Sequence, residues 1–331
     1  MMSHAKRFVA TCLGIILTWG FGIAAASSVQ TDTAYPRKPL RVIVGFTPAA
    51  ATDLIARALA QKLSEQMKIP VIVENRPGAG GNVSLAIGAK AAADGYTLIF
   101  NTGGLVQNYA LYTNLSYHPI RDFIPVSMVS KYPLLLVANA SGPYSNIVEF
   151  VAHAKANPGK LTYSSAGLGN VTHLGNVMFQ KAVGINALHV PYSGSAPALT
   201  DVMAGRIDYT TPTVASAMPF LSDKRLKPLV VLSMKRSPVL PNVPTAHETV
   251  ASNLEVASWN GMLVPMGTPN AIVKRLNAEI VAALGAEEVK SRLLMMGADI
   301  LPTSQEQYGA YIQTELKQWT LIIKQANLSL K

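Results

Sequence analysis

Apolar runs of strand length alternate with amphipathic helical segments along most of the chain. Residues 40–46 form an apolar, β-branched run that is typical of a buried parallel strand. The next segment, 53–67, has apolar residues at helical spacing: Leu54, Ile55, Ala58, Leu59 and Leu63. A strand at 71–73, a helix at 81–93 and a strand at 96–101 follow. This βαβαβ series predicts a parallel sheet with helices on both faces.

The alternation starts again after residue 133 and gives way to a helical tail. The pattern predicts strands at 134–138, 161–164, 187–190, 207–210 and 228–232, with helices at 147–156, from near Asn170, and at 196–203. After a strand at 261–264 it is wholly helical, at 271–284, 287–296 and 305–326. We therefore predict an α/β fold of two lobes, each with a mainly parallel sheet flanked by helices.

The two series and the tail also predict how the lobes are connected. The chain crosses a hinge twice, near residues 127–136 and 255–263, so that the first lobe is interrupted by the second. Lobe one is expected to contain residues 35–130 and 258–331, and lobe two residues 131–257.

Residues 1–26 have the organisation of a cleaved signal peptide. Lys6 and Arg7 precede an apolar run at 8–23, and three alanines at 24–26 offer a cleavage site. The apolar run is shorter than the roughly 20 residues of a membrane-spanning helix. We therefore predict export to the periplasm. Cys12 is the only cysteine and lies in this segment, so the mature chain is expected to lack disulfides, cysteine-bound metals and a cysteine nucleophile.

The positive charge of the chain does not indicate a nucleic-acid partner. The formal net charge is +10, but the basic residues are dispersed, with the densest cluster at 224–227. No basic helix is interleaved with aromatic residues, as nucleic-acid binding would require. The charge serves either solubility or the attraction of anionic solutes.

Motifs of catalysis and cofactor binding are missing from the sequence. There is no G-x-S-x-G or H-E-x-x-H, and the glycine-rich stretches at 78–81 and 167–169 complete neither a dinucleotide-binding motif nor a P-loop. None of the histidines that remain after cleavage is paired at metal-ligand spacing: His118, His153, His173, His189 and His247. We therefore predict no catalytic residue, no metal and no cofactor.

Two loops at matching positions, one in each predicted lobe, are better candidates for a binding site. Each follows a strand, consists mostly of small residues and leads into a helix, at 46–53 and at 164–173. Thr52 and Asn170 are the expected N-caps of these helices. Helix N-termini bind anions through free N–H groups, and open α/β sheets bind ligands beyond the carboxyl ends of their strands. Tight turns alone would explain either loop, but the pair favours a cleft that binds a carboxylate.

The same segments carry a resemblance to a known family. The chain resembles the Bug-type receptors, the extracytoplasmic solute-binding proteins of tripartite tricarboxylate transporters. The resemblance rests on ordered segments at 35–36, 39–53, 75–82, 91–98, 164–174, 189–195, 241–245, 267–269 and 275–277, together with Glu248, Trp259 and Pro265. It implies a two-lobed type II periplasmic binding protein without catalytic activity. It also implies a small carboxylate as ligand, transporter membrane subunits as partners, and a monomer.

The resemblance assigns ligand-binding roles to residues of both loops. In the first loop these are Phe46, Ala49, Ala50, Thr52 and Asp53. In the second they are Ser164, Ser165, Gly169, Asn170, Thr172 and His173, with Tyr192 and Gly194 as further wall residues. Because Asp53 is negatively charged, we expect it to order the loop or a water molecule and not to touch the carboxylate itself.

The chain departs from the family pattern at two places. Alanines stand at 49 and 50, where the family usually has glycines, and their methyl groups predict either a narrower pocket floor or a differently shaped loop. The strand near 207–213 lacks, after Asp208, the acidic residue with which many members hold an amino group, which argues against an amino-acid ligand. Two alternatives to an uptake receptor stay open, a receptor that signals to a sensor and, less favoured, a periplasmic enzyme on the same fold.

Overall fold

The computed structural model describes residues 35–48 and 50–325, and the predicted signal peptide therefore lies outside the described residues. The first part of the chain contains β1 (Leu40–Val44), α1 (Ala51–Met67), β2 (Val71–Asn75), α2 (Asn82–Ala89), β3 (Thr97–Thr102), α3 (Gly104–Leu111) and β4 (Phe123–Pro133). The middle part contains β5 (Leu135–Asn139), α4 (Ile147–Ala156), β6 (Thr162–Ser165), α5 (Val171–Val183), β7 (Leu188–Pro191), α6 (Ser195–Met203), β8 (Tyr209–Thr210), α7 (Val214–Ala217) and β9 (Leu226–Val231). The last part contains β10 (Ala257–Pro265), α8 (Asn270–Gly285), α9 (Glu287–Met295), β11 (Asp299–Ile300) and α10 (Gln305–Gln325).

The strands form two separate sheets with helices packed against them, which confirms the predicted α/β class. The strand order is β11-β4-β10-β3-β1-β2 in the first sheet and β7-β6-β8-β5-β9 in the second. Strand β1 pairs in parallel with β2 and β3, and β6 pairs in parallel with β7 and β8. The other pairings, which involve β4, β5 and β10, are antiparallel. The sheets are thus mixed, and the prediction of mainly parallel sheets was too strong.

The antiparallel pairs arise where the chain passes between the two sheets. Strand β4 leaves the first sheet at Pro133, and Leu135 opens β5 in the second. The chain comes back after β9, and β10 then runs antiparallel to β4 from the pair Ala257–Pro133 to the pair Pro265–Phe123. Both changes of sheet involve the segments for which a hinge was predicted, while the lobe boundaries themselves stay a prediction.

The core of the first sheet follows directly from its apolar pattern. Leu40, Val42 and Val44 of β1 are fully buried, as expected for a strand with helices on both faces. Helix α1 buries Ile55 and Leu59 against this sheet, whereas Leu54, which was predicted on the same face, is 49% exposed. The buried stripe anchors α1 so that its N-terminus lies at the carboxyl end of β1.

Several elements differ from the pattern-based expectation, among them the short helix α7. The segment 104–111 forms α3, for which no element was predicted, and residues 127–133 belong to the long strand β4. The last third is not wholly helical, because the short β11 pairs Asp299 with Lys131 of β4. In the described part of the chain, no helix is long and apolar enough to cross a membrane.

Candidate functional site

A cavity of about 360 Å³ lies where elements of both sheets meet. Its wall is formed by the starts of α1, α3, α5 and α6 together with the crossing strands β4 and β10. Five predicted site residues belong to this wall: Phe46, Thr52, Gly169, Asn170 and Thr172. The two loops predicted to face each other therefore do border one cavity, although contact of any of these residues with a ligand stays a prediction.

The electrostatic character of the cavity comes from helix ends. Ala51 and Thr52 begin α1, Gly104 begins α3, and Val171 begins α5. The first N–H groups of a helix have no carbonyl partner within it, and the helix dipole makes this end positive. Among the described residues of the wall there is no Asp, Glu, Lys, Arg or His. An anion in the cavity would therefore be held by backbone dipoles and neutral side chains.

The second loop is held in shape by its own side chains. Asn170 is the N-cap of α5 as predicted, and its Oδ1 accepts a hydrogen bond from the Thr172 backbone N–H at 3.0 Å. The Thr172 hydroxyl oxygen accepts one from the Ala166 N–H at 2.8 Å. Gly169 has a φ of +75°, and a Cβ there would lie 2.2 Å from Leu111 Cδ2. The backbone conformation thus favours glycine, and a larger residue would in addition require the Leu111 side chain to move.

Two histidines lie behind this loop and support it. His173 Nδ1 accepts a hydrogen bond from the Gly169 N–H at 3.1 Å, and His189 Nε2 lies 2.7 Å from the Ser165 hydroxyl. The two imidazole rings are stacked with their centroids 4.0 Å apart. Burial, with a smaller contribution from His189, lowers the pKa of His173 to about 4. His173 is therefore neutral at physiological pH, which leaves its Nδ1 lone pair free to accept.

The first loop is fixed from below by a buried carboxylate. Asp53 is 1% exposed, and its carboxylate accepts hydrogen bonds from Arg57 Nε at 2.9 Å and from Asn75 Nδ2 at 2.7 Å. The same Asn75 nitrogen donates to the Phe46 carbonyl at 2.9 Å. Asp53 thus connects α1 and the end of β2 to the loop, and it does not belong to the cavity wall.

The remaining predicted site residues lie off the wall. Ser164, Ser165 and His173 are buried behind it. The Tyr192 hydroxyl donates to Asp201, and Gly194 precedes α6, whose first residue Ser195 does line the cavity. The expected N-cap at Thr52 is wrong: Ala50 is the N-cap, without a side-chain hydrogen bond, because its φ of −65° and ψ of 155° place the last extended residue there. Ala49 lies outside the described residues.

Three wall residues that the sequence analysis missed have unpartnered donors. Gln107 Nε2, Tyr132 Oη and Asn260 Nδ2 are buried and form no hydrogen bond with the described protein atoms. Gln107 lies on α3, while Tyr132 and Asn260 lie on the crossing strands. A sequence signal existed for the last of them, because Ser258 and Asn260 alternate with Trp259 and Gly261 as polar positions of a buried strand.

The comparison with protein families gives one extended match. Residues 55–328 match the family described as the tripartite tricarboxylate transporter family receptor. The match includes the second sheet, the first sheet apart from β1, and most of the cavity wall, although it begins after Thr52. The resemblance noted in the sequence is thereby confirmed.

Solved structures with the same fold include proteins with bound acids. The structure of R. palustris Rpa4515 with adipate is 33% identical, with a TM-score of 0.78, covering 89% of this chain and 99% of that one. The periplasmic binding protein BugD is 31% identical, with a TM-score of 0.75, covering 90% and 100%. MatC from Rhodopseudomonas palustris with bound malate is 31% identical, with a TM-score of 0.73, covering 87% and 100%. Two of these three similar proteins thus hold a small dicarboxylic acid.

Proposed function

This chain belongs to the tripartite tricarboxylate transporter receptor family, and we propose that it is a periplasmic receptor that captures a small carboxylate in the cavity between its two sheets. The bound acid is then delivered to the membrane subunits of a tripartite tricarboxylate-type transporter. This delivery step follows from the family description alone.

The observation that carries the proposal is the meeting of several helix N-termini at one cavity without charged side chains. The starts of α1 and α5 come from the two predicted binding loops, and α3 adds a third positive helix end. A carboxylate offers acceptors only, and it suits a wall of this kind better than a cation does. The adipate and malate in similar receptors support the same class of ligand.

Two further parts of the proposal concern mechanism and location. Closure of the two lobes over the acid would exclude water, as in other hinged binding proteins. Serines and threonines line the described wall, but no Asp, Glu, His or Lys stands there to activate them as nucleophiles, which supports a receptor over an enzyme. The predicted signal peptide supports the periplasm, and we expect the receptor to act as a monomer.

A thermal-shift screen of organic acids against the purified mature protein tests the proposal. A ligand present at about 100 times its Kd should stabilise the protein by about 2.7 kcal/mol. We expect stabilisation by at least one small carboxylate and none by its amide, because an amide cannot offer the same two acceptors. Stabilisation by acid and amide alike, or by neither throughout the screen, would contradict the proposal. An uptake assay with the membrane subunits distinguishes a transport receptor from a sensory one.

A further inference from the structure

A second hollow of the molecule, a groove of about 640 Å³, lies between α5 and α10. Its lining comes from α5 on one side, from α10 on the other, and from the segment that precedes β10: Val177, Met178, Lys181, Ala182, Leu254, Gln318, Leu321 and Ile322. None of these residues lines the cavity that is proposed to hold the acid. The groove is therefore a separate feature, although one of its walls is a helix that also borders the cavity.

Helix α10 lies on the side of the crossing strands that faces away from the cavity. Successive residues of a strand point to opposite faces, and Ser258 and Asn260 of β10 line the cavity. Trp259, between them, points the other way. Its Nε1 donates a hydrogen bond to Glu315 of α10 at 2.9 Å, and its ring packs edge-on against Tyr308 of the same helix. Strand β10 thus separates α10, and the groove beside it, from the cavity.

Helix α5 reaches from the cavity to the groove and touches the connections between the sheets on the way. Its first residue, Val171, lines the cavity, and its later turns line the groove. Between them, a Cβ at Gly175 would lie 2.4 Å from Leu134 Cδ1 and 2.8 Å from Val256 Cγ1. The Leu134 N–H donates to the Val256 carbonyl at 3.0 Å, so the two connections meet under the middle of α5.

We propose that α5 acts as a lever over these connections, so that the groove widens as the cavity closes and the packing within the groove tunes the affinity for the acid. Helix α5 is tied to the second sheet, because the Tyr209 hydroxyl of β8 donates to Asn176 Oδ1 at 3.2 Å, whereas α10 packs on the first sheet through Trp259. A rotation that brings the start of α5 towards the first sheet therefore takes its other end away from α10. The inference rests on the proposed function, since it takes the closure of the two lobes over an acid as given.

The length of α5 sets the size of the movement. Gly175 and Ala182 are seven residues apart, which is about 10 Å along an α-helix. A rotation of about 15° would therefore move the Ala182 end about 2.6 Å away from α10. Val177, Met178 and Ile322 are half-buried in the groove, and widening it exposes these side chains to water, which favours the open form. A larger side chain that occupies the widened groove favours the closed form.

Ala182→Trp tests the lever, because a large side chain at this exposed groove position hinders the return of α5 towards α10. Malate, adipate and citrate are titrated calorimetrically into the mature protein, and the acids that bind should do so at least about threefold more tightly, mainly through slower dissociation. Without acid, small-angle scattering should give the variant a smaller radius of gyration than the native protein. Ala310→Trp is the matched control: Ala310 is an exposed alanine of α10 outside the groove, and its replacement should change neither quantity.

A pair of spin labels measures the movement itself. The one cysteine of the chain, Cys12, lies in the predicted signal peptide, so labels on the mature protein attach only to introduced cysteines. With Ala182→Cys and Leu321→Cys, the dipolar broadening in the EPR spectrum should decrease when a binding acid is added, because the labels move about 2–3 Å apart. The control pair is Lys155→Cys with Ala182→Cys. Lys155 Cε lies 3.9 Å from the position of a Cβ at Gly184, at the end of α5, so this spacing should stay constant.

The possible outcomes separate the two proposals. If no acid binds, the proposed function fails, and the scattering comparison of the acid-free variants still decides whether the groove controls closure. If an acid binds while the spacing of the groove labels stays constant, the lever is wrong and the receptor function stands. The lever is equally wrong if Ala182→Trp behaves like Ala310→Trp, or if it binds the acid more weakly than the native protein. The labelled pair decides the question if the tryptophan variant fails to fold.

Discussion

Replacement of Asp53 by alanine should cost much more stability than replacement of an equally well paired surface aspartate. The Asp53 carboxylate is buried, with one oxygen 2.9 Å from Arg57 Nε and the other 2.7 Å from Asn75 Nδ2. Hydrogen bonds to charged groups contribute about 1.5–3 kcal/mol each, so the two together give about 3–6 kcal/mol. The Arg57 side chain is 48% exposed and is rehydrated when its partner is lost, so we expect the lower end, about 3 kcal/mol.

The matched control is Asp223→Ala. Asp223 accepts hydrogen bonds from both Nε and Nη2 of Arg225, but the two side chains are 31% and 63% exposed. Exposed ion pairs are screened by solvent and contribute little, so the control should lose much less stability than Asp53→Ala. Burial, and not the number of contacts, is what distinguishes the two aspartates.

Urea unfolding followed by circular dichroism measures both variants at pH 7. For Asp53→Ala we expect a lower midpoint at an unchanged slope and a melting temperature lower by at least about 5 °C. Because Asn75 also holds the Phe46 carbonyl, the folded variant should in addition bind the best acid about tenfold more weakly, as the loop loses its support. Equal stability losses in the two variants would refute the argument that Asp53 anchors the loop from a buried position.

Three further changes have expected outcomes. Gly169→Ala should destabilise the protein by about 1–3 kcal/mol in urea unfolding, because alanine is strained at a φ of +75° and its methyl group meets Leu111; an unchanged midpoint would contradict this. Because the pKa of His173 is lowered in the folded protein, the unfolded chain binds a proton at this imidazole first when the pH is lowered. The free energy of unfolding should therefore fall as the pH drops from about 6.5 to the folded pKa of about 4, and then level off. His173→Asn, whose Oδ1 can accept from the Gly169 N–H, should flatten that slope, and an equal slope in the variant would rule out His173 as its source. Burial raises the pKa of Glu315, so this carboxyl lowers the free energy of unfolding as the pH rises from the pKa of an unfolded glutamate towards neutrality. Glu315→Gln can still accept from the indoles of Trp259 and Trp319, and it should gain stability relative to the native protein over the same rise in pH. A stability difference between the two proteins that does not change with pH would refute this role of Glu315.

The first lobe could be predicted largely from apolar pattern because its central strands are buried on both faces. The pattern predicts a strand at 40–46 and an amphipathic helix at 53–67, and both predictions lie within two residues of the observed bounds of β1 and α1. The loops between strands and helices follow from the same pattern. The apolar pattern therefore indicates where an anion could bind, because it places both small-residue loops at helix N-termini.

Two of the elements that the pattern missed, α3 and β4, have polar residues that face the cavity. Helix α3 has only eight residues, and Gln107 and Asn108 interrupt its apolar stripe because they face the site. Strand β4 overlaps a segment for which a hinge was predicted, since only its long antiparallel pairing with β10 makes it a strand. Tyr132 and Asn260 are 128 positions apart by number and meet only through that register, which no local pattern encodes.

The most direct test of the account is a crystal structure of the mature protein with the acid that gives the largest thermal shift. We predict electron density for the acid inside the cavity, with a carboxylate oxygen about 2.7–3.2 Å from backbone nitrogens at the starts of α1 and α5. No Lys or Arg side chain should touch this carboxylate. An acid bound outside the cavity, or one whose carboxylate pairs with a basic side chain, would contradict the account.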